Sequence, residues 1–175
     1  PLALDWRVDL SDAQKSQPKT SRGDFTWRAA MPEHLIVGDP VIAEWNDAKT
    51  SLPAQVNWDT GGLTVAPVAR EVIEPGIVCG NDERAWTIRC RLWNDGKLPR
   101  DVSAEQARRL SGDEAFMLTI SDTGAEVSGR TPAAVMRGLA TLTMLCDNAK
   151  SQGKTQISTG MMLDAPALSI RGWLL

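Results

Sequence analysis

The chain carries a single histidine, His34. A Ser/His/Asp or Cys/His relay would have to run through it, yet no Gly-x-Ser-x-Gly string stands nearby to supply a nucleophile. His34 follows Met31-Pro32-Glu33 and reads as a surface or hydrogen-bonded histidine in a loop. Cysteine is scarce as well. Cys79, Cys90 and Cys146 form no CxxC pair and no His/Cys cluster, so nothing points to a metal. Cys79 and Cys90 flank a hairpin-like stretch and could bridge; three buried thiols is the preferred reading. No apolar run approaches the ~18 residues needed to span a bilayer, and no charged n-region with an apolar h-region marks a signal peptide. An excess of one charge is also missing. The formal net charge is −3 with acids and bases interleaved, so no basic stripe exists for a phosphate backbone, which argues against nucleic acid as a partner.

What is present is the composition of a globular protein: 42% apolar and 23% charged over 175 residues. A chain of this length buries roughly 70% of its unfolded surface, enough for one core with a small extra layer. Apolar and polar residues alternate at period 2 over residues 4–10 and again over 25–29, the pattern of half-buried strands. Residues 41–45 and 54–58 read as strands, the second ending at Asp59-Thr60-Gly61-Gly62 before Leu63-Thr64-Val65, which predicts a hairpin. Residues 85–93 alternate over a longer run that closes at Asn94-Asp95-Gly96. Six of the seven Trp residues lie in this β-rich first half, and Pro67 and Pro75 interrupt the pattern at a weak boundary over 66–76.

Helical signals follow. Ser103 with Gln106 three residues on makes a capping box ahead of Ala107-Arg108-Arg109-Leu110. Residues 115–121 read as a strand, Asp122-Thr123-Gly124 as a tight turn and 125–129 as the return strand. Thr131 can cap a helix that Pro132 opens, since a first helical position needs no backbone donor. Val135, Met136, Leu139, Leu142, Leu145 and Cys146 then recur at spacings of three and four, giving one face to pack on a sheet before Asp147-Asn148 and Gly153 end the run. Residues 157–162 read as a further strand. The order predicts an α+β fold: a mixed or antiparallel sheet with amphipathic helices on one face, preceded by a β-rich N-terminal segment. The last residues, Ser169-Ile170-Arg171-Gly172-Trp173-Leu174-Leu175, read as the opening of a buried strand with no turn or polar tail, which leads to the expectation that the chain is the front of a longer protein.

Four strings in order carry a resemblance: Gly112-Asp113-Glu114-Ala115-Phe116-Met117-Leu118-Thr119-Ile120, then the stretch from Gly129 to Leu142, then Leu163-Asp164-Ala165-Pro166, then Ile170 to Leu175. Residues 111–175 resemble the front domain of the β-N-acetylhexosaminidases of glycoside hydrolase family 20 and the start of the barrel that follows it there. The chain departs from that pattern at Val135-Met136-Arg137 and at Met144. The resemblance implies residues 1–70 as a β-rich segment that could form an extra β-module, 71–168 as the α+β front domain, and 169–175 as the start of the first strand of a (β/α)8 barrel. It implies a parent that removes terminal β-linked GlcNAc or GalNAc by substrate-assisted hydrolysis, without metal or cofactor, in a periplasmic or extracellular setting. The implied partners are the C-terminal catalytic barrel and N-acetylated glycans. Related front domains precede other glycosidase barrels, among them α-glucuronidases and O-GlcNAc-removing enzymes.

The family works with an adjacent Asp-Glu pair, the Glu protonating the leaving oxygen and the Asp orienting the substrate's own N-acetyl nucleophile. Asp113-Glu114 is not that pair by position, because it falls in the part matching the front domain. It reads as solvated or paired with a neighbour such as Arg108 or Arg109, and no catalytic residue is assigned. By the resemblance, Arg171 would bind hydroxyls of the terminal sugar, but only in the complete enzyme. Trp6, Trp27, Trp45 and Trp58 could stack on sugar faces, with Trp27 and Trp58 as the leading candidates; the alternative, which the alternation favours, is that they fill a core. A stand-alone carbohydrate-binding or domain-packing module is the second functional reading.

Overall fold

The computed structural model describes residues 40–65, 67–80, 83–93 and 101–166. The expected strands at 4–10 and 25–29, Trp6, Trp27, His34, the turn at 94–96, Arg171 and the terminal run lie outside the described residues. Six strands appear among the described residues: β1 (Ile42–Ser51), β2 (Gln55–Asp59), β3 (Ala85–Leu92), β4 (Phe116–Ser121), β5 (Gly124–Gly129) and β6 (Gln156–Asp164). Three helices accompany them: α1 (Pro67–Ile77), α2 (Ala104–Arg109) and α3 (Pro132–Ser151).

The strands form one mixed sheet in the order β1-β6-β4-β5-β3-β2, antiparallel from β1 to β5 and parallel from β5 through β3 to β2. This is the α+β layer that the order of elements predicts. Strand alternation sets its faces. Trp86, Ile88 and Cys90 of β3 and Phe116, Leu118 and Ile120 of β4 are buried on one side, where Ile73 and Ile77 of α1 and the apolar stripe of α3 join them in the main core. The opposite face carries a smaller cluster: Leu163, level with Met117 across β4 and β6, packs with Leu110, Ala115 and Ala165. Leu110 is the residue that ends α2, so that short helix anchors to the second face rather than the first.

One connection corrects the sequence reading. Residues 54–65 do not make a hairpin. The turn after β2 is real, with the Asp59 carboxylate accepting from the Gly61 amide at 3.2 Å, but the chain then leaves the sheet through α1 and returns as β3 parallel to β2. Leu63-Thr64-Val65 is not a strand. Pro67 opens the helix instead of breaking a pattern, and Pro75 lies inside it, within the last turn. The division expected at residue 70 therefore falls inside α1, and β1 and β2 before it belong to the same sheet as the strands after it.

The expected helix caps hold, while the long helix runs on through Asp147-Asn148 to Ser151. Ser103 and Gln106 form the reciprocal capping box, and Thr131 Oγ1 accepts from the Ala134 amide at 3.2 Å with Pro132 at the helix start. The β4–β5 turn works because Gly124, at φ +146°, lies against β3: a Cβ there would sit 2.2 Å from the Thr87 carbonyl oxygen.

Helix α3 seats on β4 and β5 through absent side chains. A Cβ on Gly138 would stand 2.4 Å from Val127 Cγ1 and 3.0 Å from Phe116 Cδ2, and one on Gly129 would stand 2.7 Å from the Ala134 methyl. Gly138→Ala is therefore expected to cost about 1–3 kcal/mol through overpacking, outweighing the ~1 kcal/mol gained in helix propensity. Urea denaturation should show a lower midpoint at unchanged slope, and adding Val127→Ala should recover part of the loss; a stabilised single variant would contradict the packing.

Candidate functional site

The adjacent carboxylates Asp113 and Glu114 sit where α2 gives way to β4, against the start of α3. Thr131 Oγ1 donates to the Asp113 carbonyl at 2.7 Å, and Arg137 Nη2 on α3 donates to Glu114 Oε1 at 2.7 Å. The sequence left this pair solvated or paired with a neighbour such as Arg108 or Arg109. Arg108 instead pairs with Glu105 one turn earlier on α2, also at 2.7 Å, and Glu114 accepts from an arginine 23 residues away in sequence. An i, i+3 pair on one helix forms locally, whereas the Glu114–Arg137 pair exists only once α3 has folded back onto the sheet. Arg130 continues this rim, donating through Nε to the Leu110 carbonyl at 3.0 Å and lying 5.5 Å over the Trp93 ring. Trp93 in turn donates to Ser128 Oγ at 2.9 Å. These contacts lock α2, the β5–α3 junction and the strand ends together.

Each Trp among the described residues packs against an apolar cluster. Trp86 is fully buried, Trp45 and Trp58 lie against the main core, and Trp93 lies against the smaller one. Trp58, the glycan-platform candidate, has the Arg70 guanidinium 5.5 Å from its ring centroid and donates its Nε1 proton to Glu74 Oε2 at 3.3 Å. Trp45 covers Gly160, where a Cβ would stand 2.8 Å from ring atom Cε3. The structure thus brings Trp45, Trp58 and Trp86 to the helix-covered side and Trp93 to the other.

Beside β2 and α1 lies an open groove of about 460 Å³ lined by Ala54, Gln55, Glu71, Glu74, Pro75 and Val78. Its carboxylates come from α1, the helix that the sequence reading did not foresee. Among the described residues no group of three or more His, Cys, Asp or Glu is placed to hold a metal ion, and no helix is long and apolar enough to cross a membrane.

The cysteines are free thiols, Cys90 and Cys146 buried and Cys79 half-buried rather than buried as expected. Burial pushes the Cys90 thiol up to about 11 and the Cys146 thiol up to about 12, so neither offers a ready thiolate nucleophile. Asp164, at the end of β6, is a half-buried carboxyl with its Oδ1 atom out of water, and nothing in the local sequence announced it. Burial raises its pKa above the ordinary value of 3.8, against the backbone amides of Ala165 and Val41 and the charge of Arg109, which lower it.

No family model matches the chain, and no curated protein sequence does. Solved structures do match in fold. CpGH84D aligns at TM-score 0.57 with 9% identity over 76% of this chain and 24% of its own. The Streptomyces plicatus N-acetyl-β-hexosaminidase, in complex with Thio-NAglucal, aligns at 0.53 with 18% identity over 79% and 27%. CpGH84B aligns at 0.51 with 15% identity over 78% and 23%. The chain therefore shares its fold with part of these proteins and spans about a quarter of their length.

Two outcomes follow for the carboxylates. Glu114→Gln is expected to cost less than about 1 kcal/mol, because the pair's side chains keep 35–39% of their surface in water; a thermal melt with a larger loss would assign Glu114 a further role. For Asp164 the folded pKa lies above the unfolded one, so its contribution is fully present below pH 3.8 and is lost as pH rises through the folded value. Asp164→Asn should raise the urea midpoint at pH 7 and leave it nearly unchanged near pH 3, and a lower midpoint at pH 7 would contradict the assignment.

Proposed function

We propose that the chain is the non-catalytic front domain of an exo-β-N-acetylhexosaminidase of the family 20 kind, a packing domain for a catalytic barrel. The observation that carries this reading is the shared fold with the Streptomyces plicatus enzyme over 79% of the chain, joined to the four ordered strings between Gly112 and Leu175. A fold alone does not fix a function, and the same layer occurs in CpGH84D and CpGH84B. The strings, above all Arg171-Gly172 running into Trp173-Leu174-Leu175, tip the reading toward family 20.

In the parent, an acid within hydrogen-bond reach of the glycosidic oxygen protonates the leaving group while the substrate's N-acetyl oxygen attacks the anomeric carbon. Terminal β-linked GlcNAc or GalNAc is the substrate class, and the setting is periplasmic or extracellular. The adjacent Asp113 and Glu114 do not supply that acid. Asp113 and Glu114 are the one adjacent Asp-Glu pair among the described residues, and they serve the α2–β4 junction through Thr131 and Arg137. Arg171 is the residue that this chain would lend to the sugar pocket.

A fluorogenic N-acetyl-β-glucosaminide incubated with the chain alone is expected to release no fluorophore above buffer. Turnover abolished by Glu114→Gln would overturn the reading. Chitooligosaccharide titration followed by Trp fluorescence should give no saturable change; a saturable signal lost in Trp58→Ala would make the chain a binding module instead.

A further inference from the structure

The last turn of α3 grips the end of α1. Lys150 Nζ donates to the carbonyls of Pro75 at 3.1 Å, Gly76 at 2.8 Å and Val78 at 2.6 Å, placing a cation on the carbonyl end of the shorter helix. The helices touch closely there: a Cβ on Gly76 would meet Thr143 Cγ2 at 2.2 Å and the Asp147 carboxylate at 3.3 Å. Cys146 lies on the same stretch of α3, one turn before Lys150, so their Cβ atoms are about 5–6 Å apart. Cys79 follows Val78 directly, its amide fixed to the Pro53 carbonyl at 2.8 Å, and it packs against the core cluster that contains both Cys146 and Cys90; the Lys150 grip on the Val78 carbonyl is what ties it to the Cys146 stretch.

We propose that Cys79 and Cys146 are a disulfide-forming pair that cross-links the end of α1 to α3. The charges that act on each thiol agree with this pairing. Cys146 feels Lys150, Asp147 and Cys79, whereas Cys90 feels Arg91, Arg70 and Asp59. The pairing therefore differs from the Cys79–Cys90 bridge that sequence spacing left open.

The oxidant is a small or protein disulfide such as oxidised glutathione. Half-buried Cys79 attacks first: its thiolate bonds one oxidant sulfur and the other leaves as a thiolate. Cys146 then gives its proton to solvent and attacks the Cys79 sulfur, expelling the second oxidant thiolate. The protein loses two electrons and two protons, and the oxidant disulfide becomes two thiols. Burial of Cys146 makes the second exchange the slow one.

The test uses the full chain exposed to oxidised glutathione and digested with trypsin without reduction. Cuts at Arg70, Arg84, Arg137 and Lys150 place Cys79 on residues 71–84 and Cys146 on 138–150. The expected result is a cross-linked 71–84/138–150 peptide, titratable thiols falling from three to one, and a melting temperature that rises and returns on reduction. Cys90→Ala should keep the cross-link and Cys79→Ser should abolish it. Three thiols persisting after prolonged oxidation, a glutathione adduct that stops at Cys79, or a Cys79–Cys90 peptide would each overturn the proposal.

Discussion

The fold depends on how closely α3 lies on the sheet. Gly129 ends β5 beneath Ala134, and Gly138 faces Val127 and Phe116 with no room for a methyl. That approach lets Leu139, Leu142, Leu145 and Cys146 reach the main core and become fully or almost fully buried. At roughly 1.5–3 kcal/mol for each large side chain removed from water, this face contributes several kcal/mol of burial. The contact also explains why β4 and β5 sit at the middle of the sheet, where both of their edges are paired.

Once α3 is seated, its two ends organise the rest. At the N-terminal end, Thr131 and Arg137 hold the Asp113-Glu114 segment, and Arg130 fixes Leu110 and Trp93. At the C-terminal end, Lys150 holds the carbonyls that finish α1. Charged groups that stand out in the sequence as candidate chemistry thus join elements of the fold. The fold they hold together is the one that the chain shares with about a quarter of the length of CpGH84D and of the Streptomyces plicatus N-acetyl-β-hexosaminidase.

Much of this was legible where the signal is local. Ser103, Gln106, Thr131 and Pro132 act within one turn of their own backbone, and the β4–β5 hairpin is written in Asp122-Thr123-Gly124 and the alternation on either side. The misreadings are non-local. Gly61-Gly62 marks a turn, but nothing within a few residues says whether the chain re-enters beside the strand it left or crosses over it, so α1 was read as a boundary. The Glu114–Arg137 pair could not be chosen over Arg108 without the path of α3. β1 runs to Ser51, past the residues whose alternation announced it, because an edge strand with an irregular register between Trp45 and Lys49 leaves several side chains in water. For the candidate site, the place of Asp113-Glu114 ahead of β4 was readable from order alone, whereas the desolvation of the Asp164 carboxyl was not.

Native-state amide hydrogen exchange tests the central role of α3 most directly. If seating α3 is what holds the domain together, the amides of residues 138–149 exchange as slowly as those of β4 and β5, and all respond to urea with one common slope, that of global unfolding. Amides of α3 that exchange faster than the sheet, with a shallower urea dependence, would mean that the sheet stands without its helix, and would contradict the account.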